Sequence, residues 1–155
     1  MSLEIGAPAP DWTLPDAHRT PVTLSSYRGE RAALVVFYPF AFSRVCTGEL
    51  CSVRDDLASF QNERVQILAV SCDPAPSLLA WSQDQGFDFP LLSDFWPHGA
   101  VSRTYGVFRE DAGMPNRGTF LVDTSGVLRW SEVQEPGQAR DQAAWRRAID
   151  ALAEV

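Results

Sequence analysis

The chain predicts a single α/β domain, and three observations carry that reading. The run Ala32 to Tyr38 is short, apolar and rich in β-branched and aromatic residues, so it reads as a buried strand stopped by Pro39. From about residue 46 to 62 the pattern turns helical: Leu50, Val53, Leu57 and Phe60 recur at spacings of three and four, with Glu49, Arg54, Asp55 and Asp56 on the other faces. Val65 to Val70 is again an apolar strand, which completes a β-α-β unit, for which a right-handed crossover is the default.

The remaining elements follow in order. Residues 11–24 read as a β-hairpin or extended arm: Trp12 and Leu14 alternate, Asp16 to Arg19 form a polar turn, and Val22 and Leu24 resume the alternation. Ser25 to Gly29 reads as a helical turn ended by glycine. Ala75 to Gln85 is a second helix, opened by Pro74 and Pro76 and closed by Gly86. Gly99 to Tyr105 is a short third one. Thr119–Asp123 and Val127–Ser131 flank a Thr124-Ser125-Gly126 turn and predict an antiparallel hairpin. A last helix is expected from about Gln138 to Ala153, with Ala144, Ala148, Ile149 and Leu152 for its inward stripe.

With 155 residues, the chain is long enough to bury roughly two-thirds of the surface it exposes when unfolded, so it needs no disulfide staples. The formal net charge of −7 argues against nucleic acid or an anionic membrane as partner. The start, Met1 to Ile5, lacks the basic region and apolar core of a signal peptide, and the longest apolar run, around Ala32 to Phe42, is too short to span a bilayer. A cytoplasmic location is the expectation. Three cysteines in a reducing compartment are reactive or structural thiols rather than a disulfide framework.

Cys46 stands where a strand has ended and a helix begins. The unpaired N–H groups and positive end of the helix dipole favour a thiolate there, and Arg44 adds a nearby cation. Ser43 offers a hydroxyl to the sulfur or to an incoming oxygen, or else simply caps the helix. On position alone, a buried structural thiol is an equally good account of Cys46.

The spacing Pro39-x-x-x-Ser43-x-x-Cys46-x-x-Glu49 resembles the active-site signature of the peroxiredoxins. Two further segments are similar to that family: Gly6-Ala7-Pro8-Ala9-Pro10-Asp11-Trp12-Thr13-Leu14 resembles its amino-terminal pattern, and Arg117-Gly118-Thr119-Phe120-Leu121-Val122-Asp123 the strand that carries its active-site arginine. Within the family, Leu91-Leu92-Ser93-Asp94-Phe95-Trp96-Pro97-His98-Gly99-Ala100-Val101 resembles the alkyl hydroperoxide reductase E group. The resemblance implies a thioredoxin-like fold with an amino-terminal β extension and a middle insertion. It also implies thiol-dependent reduction of hydrogen peroxide and organic hydroperoxides, with no cofactor and no metal.

In that reading Cys46 is the peroxidatic nucleophile, Arg117 holds it ionised and binds peroxide, Ser43 hydrogen-bonds the substrate, and Pro39 shields the sulfur from water. The family usually has Thr at the position of Ser43. Glu49 either holds Arg117 or a loop, or is an exposed first-turn residue. Phe42 and Trp96 either wall a substrate pocket or pack in a core or dimer contact; of the two histidines, His18 and His98, the second reads as a loop or helix-start residue, with catalysis the lesser alternative. An external thiol, whether thioredoxin, a glutaredoxin-like protein or a low-molecular-weight thiol, and a homodimeric state are further expectations from the family.

The second cysteine leaves alternatives open. Cys46-x-x-x-x-Cys51 is similar to peroxiredoxins in which the second thiol resolves the sulfenic acid. Residues five apart on an ideal helix have Cα atoms roughly 8.6 Å apart, whereas a disulfide needs less than about 7 Å. That turn must therefore unwind before Cys51 resolves. Cys72, at the end of a strand, is a weaker resolving candidate. Among other functions, a protein disulfide reductase lacks its Cys-x-x-Cys, and a zinc site lacks paired ligand spacing. A thiol redox sensor or interaction module of thioredoxin fold is the non-enzymatic alternative.

Overall fold

The computed structural model describes residues 3–152, so the expected end of the last helix at Ala153 lies outside the described residues, as do Met1 and Ser2. In chain order the elements are β1 (Thr13–Pro15), β2 (Pro21–Thr23), a 3-10 turn (Leu24–Tyr27), β3 (Ala32–Phe37), α1 (Arg44–Asp55), a second 3-10 turn (Leu57–Ser59), β4 (Val65–Ser71), α2 (Ala75–Gln85), β5 (Leu91–Ser93), α3 (Ala100–Thr104), β6 (Phe108–Arg109), β7 (Met114–Pro115), β8 (Arg117–Val122), β9 (Leu128–Gln134) and α4 (Gln142–Leu152).

A five-stranded sheet in the order β5-β4-β3-β8-β9 organises them. β3 pairs with β4 in parallel, Ala32 opposite Val65 through Phe37 opposite Val70, which is the β-α-β unit the sequence predicts. β8 pairs antiparallel with β3 and with β9, so the second half of the chain returns as the expected hairpin. The arm at residues 11–24 is a separate antiparallel pair, β1 with β2.

Because successive side chains of a strand point to opposite faces, β3 serves two cores at once. Leu34, Val36 and Tyr38 pack with Cys46, Leu50, Val53, Trp81 and Trp145 under α1, α2 and α4. Ala33, Val35 and Phe37 pack with Trp12, Leu14, Tyr105 and Phe120 under the amino-terminal arm. Every residue of β3 and β4 is buried, as expected for central parallel strands covered on both faces. Gly118 is required by proximity: a Cβ there would lie 2.6 Å from Val107 Cγ1.

Four expectations are corrected. α1 stops at Asp55 instead of running to 62, because Asp56 leaves helical geometry (φ −133°, ψ 42°) with its carboxylate drawn 2.6 Å from Arg146 Nη2; the apolar stripe continues through Leu57 and Phe60, so periodicity hides the break. α4 begins at Gln142 instead of 138, because the preceding residues run non-helically to deliver Arg140 into the interior. β8 begins two residues earlier and β9 ends three later than expected, which puts Arg117 inside a strand. Leu91–Ser93 is a sheet strand, and Phe108–Arg109 with Met114–Pro115 makes a small hairpin; neither run is long enough to show a period.

Candidate active site

β3 ends at Phe37, and Tyr38 still bonds through its N–H to Val70 O before Pro39, itself buried, turns the chain away from the sheet. Residues 40–43 form a short loop, and Ser43, extended at φ −72°, ψ 151°, caps α1 by accepting the Cys46 N–H at 3.3 Å. Cys46 is thus the third residue of the helix. Its side chain is fully buried in the cluster with Tyr38, Leu50 and Trp81. A sulfur there sits against the positive helix end, away from bulk water.

The cation that reaches the sulfur comes from across the sheet. Arg117 Nη2 donates to Cys46 Sγ at 3.2 Å, Nη1 to Glu49 Oε1 at 2.7 Å, and Nε to Pro136 O at 2.7 Å. Three fixed partners use both edges of the guanidinium fork and leave it one orientation. Arg117 is 1% exposed, which removes the surface-cation reading. Arg44, by contrast, is exposed.

Glu49 is the hub. Three residues after Cys46 it faces inward and is 6% exposed, so the exposed first-turn alternative fails. Its carboxylate accepts from Arg117, from the Arg140 backbone N–H at 2.7 Å, and from Arg140 Nη2 and Nε at 2.7 and 3.1 Å. Gln142 Nε2 donates to its backbone carbonyl at 2.9 Å. Burial alone would disfavour its charge, but the hydrogen bonds and charge of Arg140, then the charge of Arg117, outweigh that and hold its pKa below the ordinary glutamate value.

Arg140 is the residue the sequence did not disclose. It is 7% exposed, and Nη1 also donates to Phe37 O, Gly118 O and Thr119 Oγ1 at 2.7, 3.1 and 3.2 Å, tying both central strands to the network. Burial pulls its pKa down, and Glu49 counteracts that. A lone arginine in the polar run Gln138-Ala139-Arg140-Asp141 has no periodicity or motif to distinguish it from a solvated one. Two arginines thus meet one carboxylate within hydrogen-bonding distance, and the Cys46 sulfur is the further partner that Arg117 reaches.

The Glu49 shift has a pH consequence. A group whose folded pKa is depressed contributes stability that is present above its unfolded pKa and is lost as pH falls through the folded value. Wild type should therefore lose stability on acidification below about pH 4.3, the unperturbed glutamate pKa. Glu49→Gln should be less stable near neutrality, and the gap between the two in urea midpoint should narrow as pH falls. A gap constant from pH 7 to 3 would remove Glu49 from acid sensitivity.

The other named residues lie elsewhere. Cys51 is half-buried one and a half turns along the same unbroken helix, its Sγ 3.3 Å from Gln85 Oε1. Cys72 follows β4, 4.0 Å from Ser102 Oγ, and burial followed by the Asp94 carboxylate pushes its thiol up to about 11. Phe42 and Trp96 are 56% and 70% exposed, so neither is a core residue. Phe42 leans on Trp81, and Trp96 meets His98 edge-on at 4.8 Å between centroids. His18 is exposed in the turn between β1 and β2. No helix among the described residues is long and apolar enough to cross a membrane.

With this geometry in hand, comparison with known proteins is specific. Residues 5–131 match the AhpC/TSA family. The chain is 53% identical over 150 residues to alkyl hydroperoxide reductase E of Mycobacterium tuberculosis, covering 97% of this chain and 98% of that one. It is 36% identical over 164 residues to peroxiredoxin tpx1 of Schizosaccharomyces pombe, covering 98% of this chain and 83% of that one. Among solved structures, Enterococcus faecalis AhpC superposes with a TM-score of 0.89 at 28% identity, covering 100% of this chain and 95% of that chain. Peroxidoxin BcpB from Mycobacterium tuberculosis superposes with a TM-score of 0.82 at 31% identity, covering 99% and 98%. A family match over residues 5–131, with 53% identity over nearly the full length of alkyl hydroperoxide reductase E, means that the chain belongs to the AhpC/TSA family of peroxiredoxins.

Proposed function

We propose that this protein is a thiol-dependent peroxidase that reduces hydrogen peroxide and organic hydroperoxides at Cys46. The observation that carries the reading is the 3.2 Å contact between Cys46 Sγ and an Arg117 guanidinium that Glu49 and Pro136 hold in place. The thiolate attacks the hydroxyl oxygen of ROOH in line with the O–O bond. An S–O bond forms, the O–O bond breaks, and the departing RO⁻ takes a proton from solvent to leave as alcohol or water. Arg117 has donors to spare for the polarised oxygens, Ser43 supplies a hydroxyl hydrogen, and Pro39 limits water at the sulfur. Sulfur is oxidised to the sulfenic acid and the peroxide is reduced.

The sulfenic acid is then reduced by an external thiol: one equivalent condenses with it to a mixed disulfide and releases water, and a second displaces Cys46 as thiolate and leaves as the disulfide. Thioredoxin, a glutaredoxin-like protein or a small thiol fits that part. An unbroken α1 between Cys46 and Cys51 supports assigning the step to an outside partner, as does the raised pKa of Cys72, since a thiol at about 11 is a poor attacking group. The chain works as one domain, in the cytoplasm, as a homodimer; exposed Phe40, Phe42, Phe95 and Trp96 support an apolar contact between copies, which sedimentation of the purified protein tests.

The test is peroxide consumption by purified protein with a thiol reductant, followed by mass spectrometry of protein treated with one equivalent of peroxide and no reductant. A trappable sulfenic acid on Cys46 is the expected product. Cys51→Ser should leave its lifetime unchanged. A product two hydrogens lighter than the reduced chain, linking Cys46 to Cys51 and absent from the variant, would return Cys51 to the mechanism as the resolving thiol.

A further inference from the structure

The loop that leads from β3 into the helix of Cys46 is held from the neighbouring strand. Phe42 lies at φ +65°, a region that L side chains rarely adopt, and both Phe40 and Phe42 are exposed, so Ala41 and the contact of Phe42 with Trp81 are the loop's apolar footing. The polar tie is Asp73, just past β4: its Oδ2 accepts the Ala41 N–H at 2.8 Å and the Ser71 hydroxyl at 2.7 Å. Asp73 is itself fixed, its N–H donating to Ser71 Oγ at 3.3 Å and its carbonyl accepting from Ser93 Oγ at 2.6 Å at the end of β5. Asp73 thus ties the loop bearing Pro39 and Ser43 to the end of β4 through its carboxylate and to the end of β5 through its backbone carbonyl. It does not touch Cys46.

We infer that Asp73 is a positioning residue that sets the balance between the two halves of the catalytic cycle, through its bond to the Ala41 N–H. The inference rests on the peroxidase reading above. Peroxide is small and needs the loop in place, because the Ser43 hydroxyl must meet the reacting oxygens, and Pro39 exclude water, with their geometry preset. A thiol reductant is larger and must reach a sulfur that is fully buried in this structure. Holding the loop therefore favours attack on peroxide and hinders attack by thiol on the sulfenic acid. Releasing it must move the two rates in opposite directions, whereas general loss of structure moves both the same way.

The experiment compares wild type with Asp73→Ala in two single-turnover reactions: oxidation by hydrogen peroxide, and capture of the preformed sulfenic acid by thionitrobenzoate. Loss of a hydrogen bond to a charged acceptor predicts oxidation slower by about tenfold, with capture faster by about threefold or more. Asp73→Asn keeps an oxygen for the Ala41 N–H and should recover most of the wild-type balance. If Asp73→Ala does not fold, Asp73→Ser, polar but too short to reach Ala41, carries the same comparison. Equal slowing of both reactions, no change in either, or an asparagine variant as impaired as alanine would each overturn the inference. Wild-type protein that fails to consume peroxide would instead overturn the peroxidase reading, so the two failures are distinguishable.

Discussion

Cys46→Ser is expected to abolish peroxide turnover while the fold survives. The substitution exchanges one atom at a fully buried position, and the serine hydroxyl keeps a polar atom facing Arg117, so no cavity forms and no guanidinium is left facing hydrocarbon. A serine hydroxyl beside an arginine stays protonated at neutral pH, and no group near it acts as a base to remove that proton: Glu49 is committed to two arginines. Activity should fall by roughly three orders of magnitude or more, the scale of removing a nucleophile. Peroxide consumption and thermal melting followed together check this. Retention of most of the activity would place the chemistry at another thiol.

Arg117→Met carries the second-largest effect. The side chain fills similar space without donors, so Glu49 keeps its bidentate partner Arg140 and the strand keeps its packing, while Cys46 loses its one guanidinium contact. Removing a preset donor from a developing anion costs about 10²–10³ in rate. The second-order rate of Cys46 oxidation should fall by that factor, measured by rapid-quench trapping. Arg117→Lys should recover little, because one ammonium does not span Cys46, Glu49 and Pro136 O with fork geometry. A variant oxidised at the wild-type rate would leave Arg117 a structural residue only.

The two central arginines show where sequence reading works and where it stops. Arg117 was legible because it opens a strand motif that resembles a known family's, whereas Arg140 lies in a polar run whose residues look ready for solvent. Asp73 was hidden for the same reason: Val70-Ser71-Cys72-Asp73-Pro74 reads as an ordinary strand exit, and nothing local says that its carboxylate is aimed at Ala41, 32 positions earlier. Glu49 stood between, its spacing from Cys46 visible and its direction not.

By itself the sequence determined what depends on near neighbours along the chain. It specified a buried β3 and β4 from their largely apolar runs, an amphipathic α1 from its three-and-four spacing, and a thiol in the first turn of that helix next to a capping serine. Hydrophobic period and capping chemistry act over a few residues, so they are written in a few residues. Only the tertiary structure decided which charges meet. The bonds Cys46–Arg117, Glu49–Arg140 and Ala41–Asp73 span 71, 91 and 32 positions, and each exists because β8, the segment before α4 and the end of β4 converge on one side of the sheet. An ionised group is indifferent to sequence distance: what fixes its partner is the low-polarity interior, where an unpaired charge is too costly to leave and only the assembled fold says who is within reach.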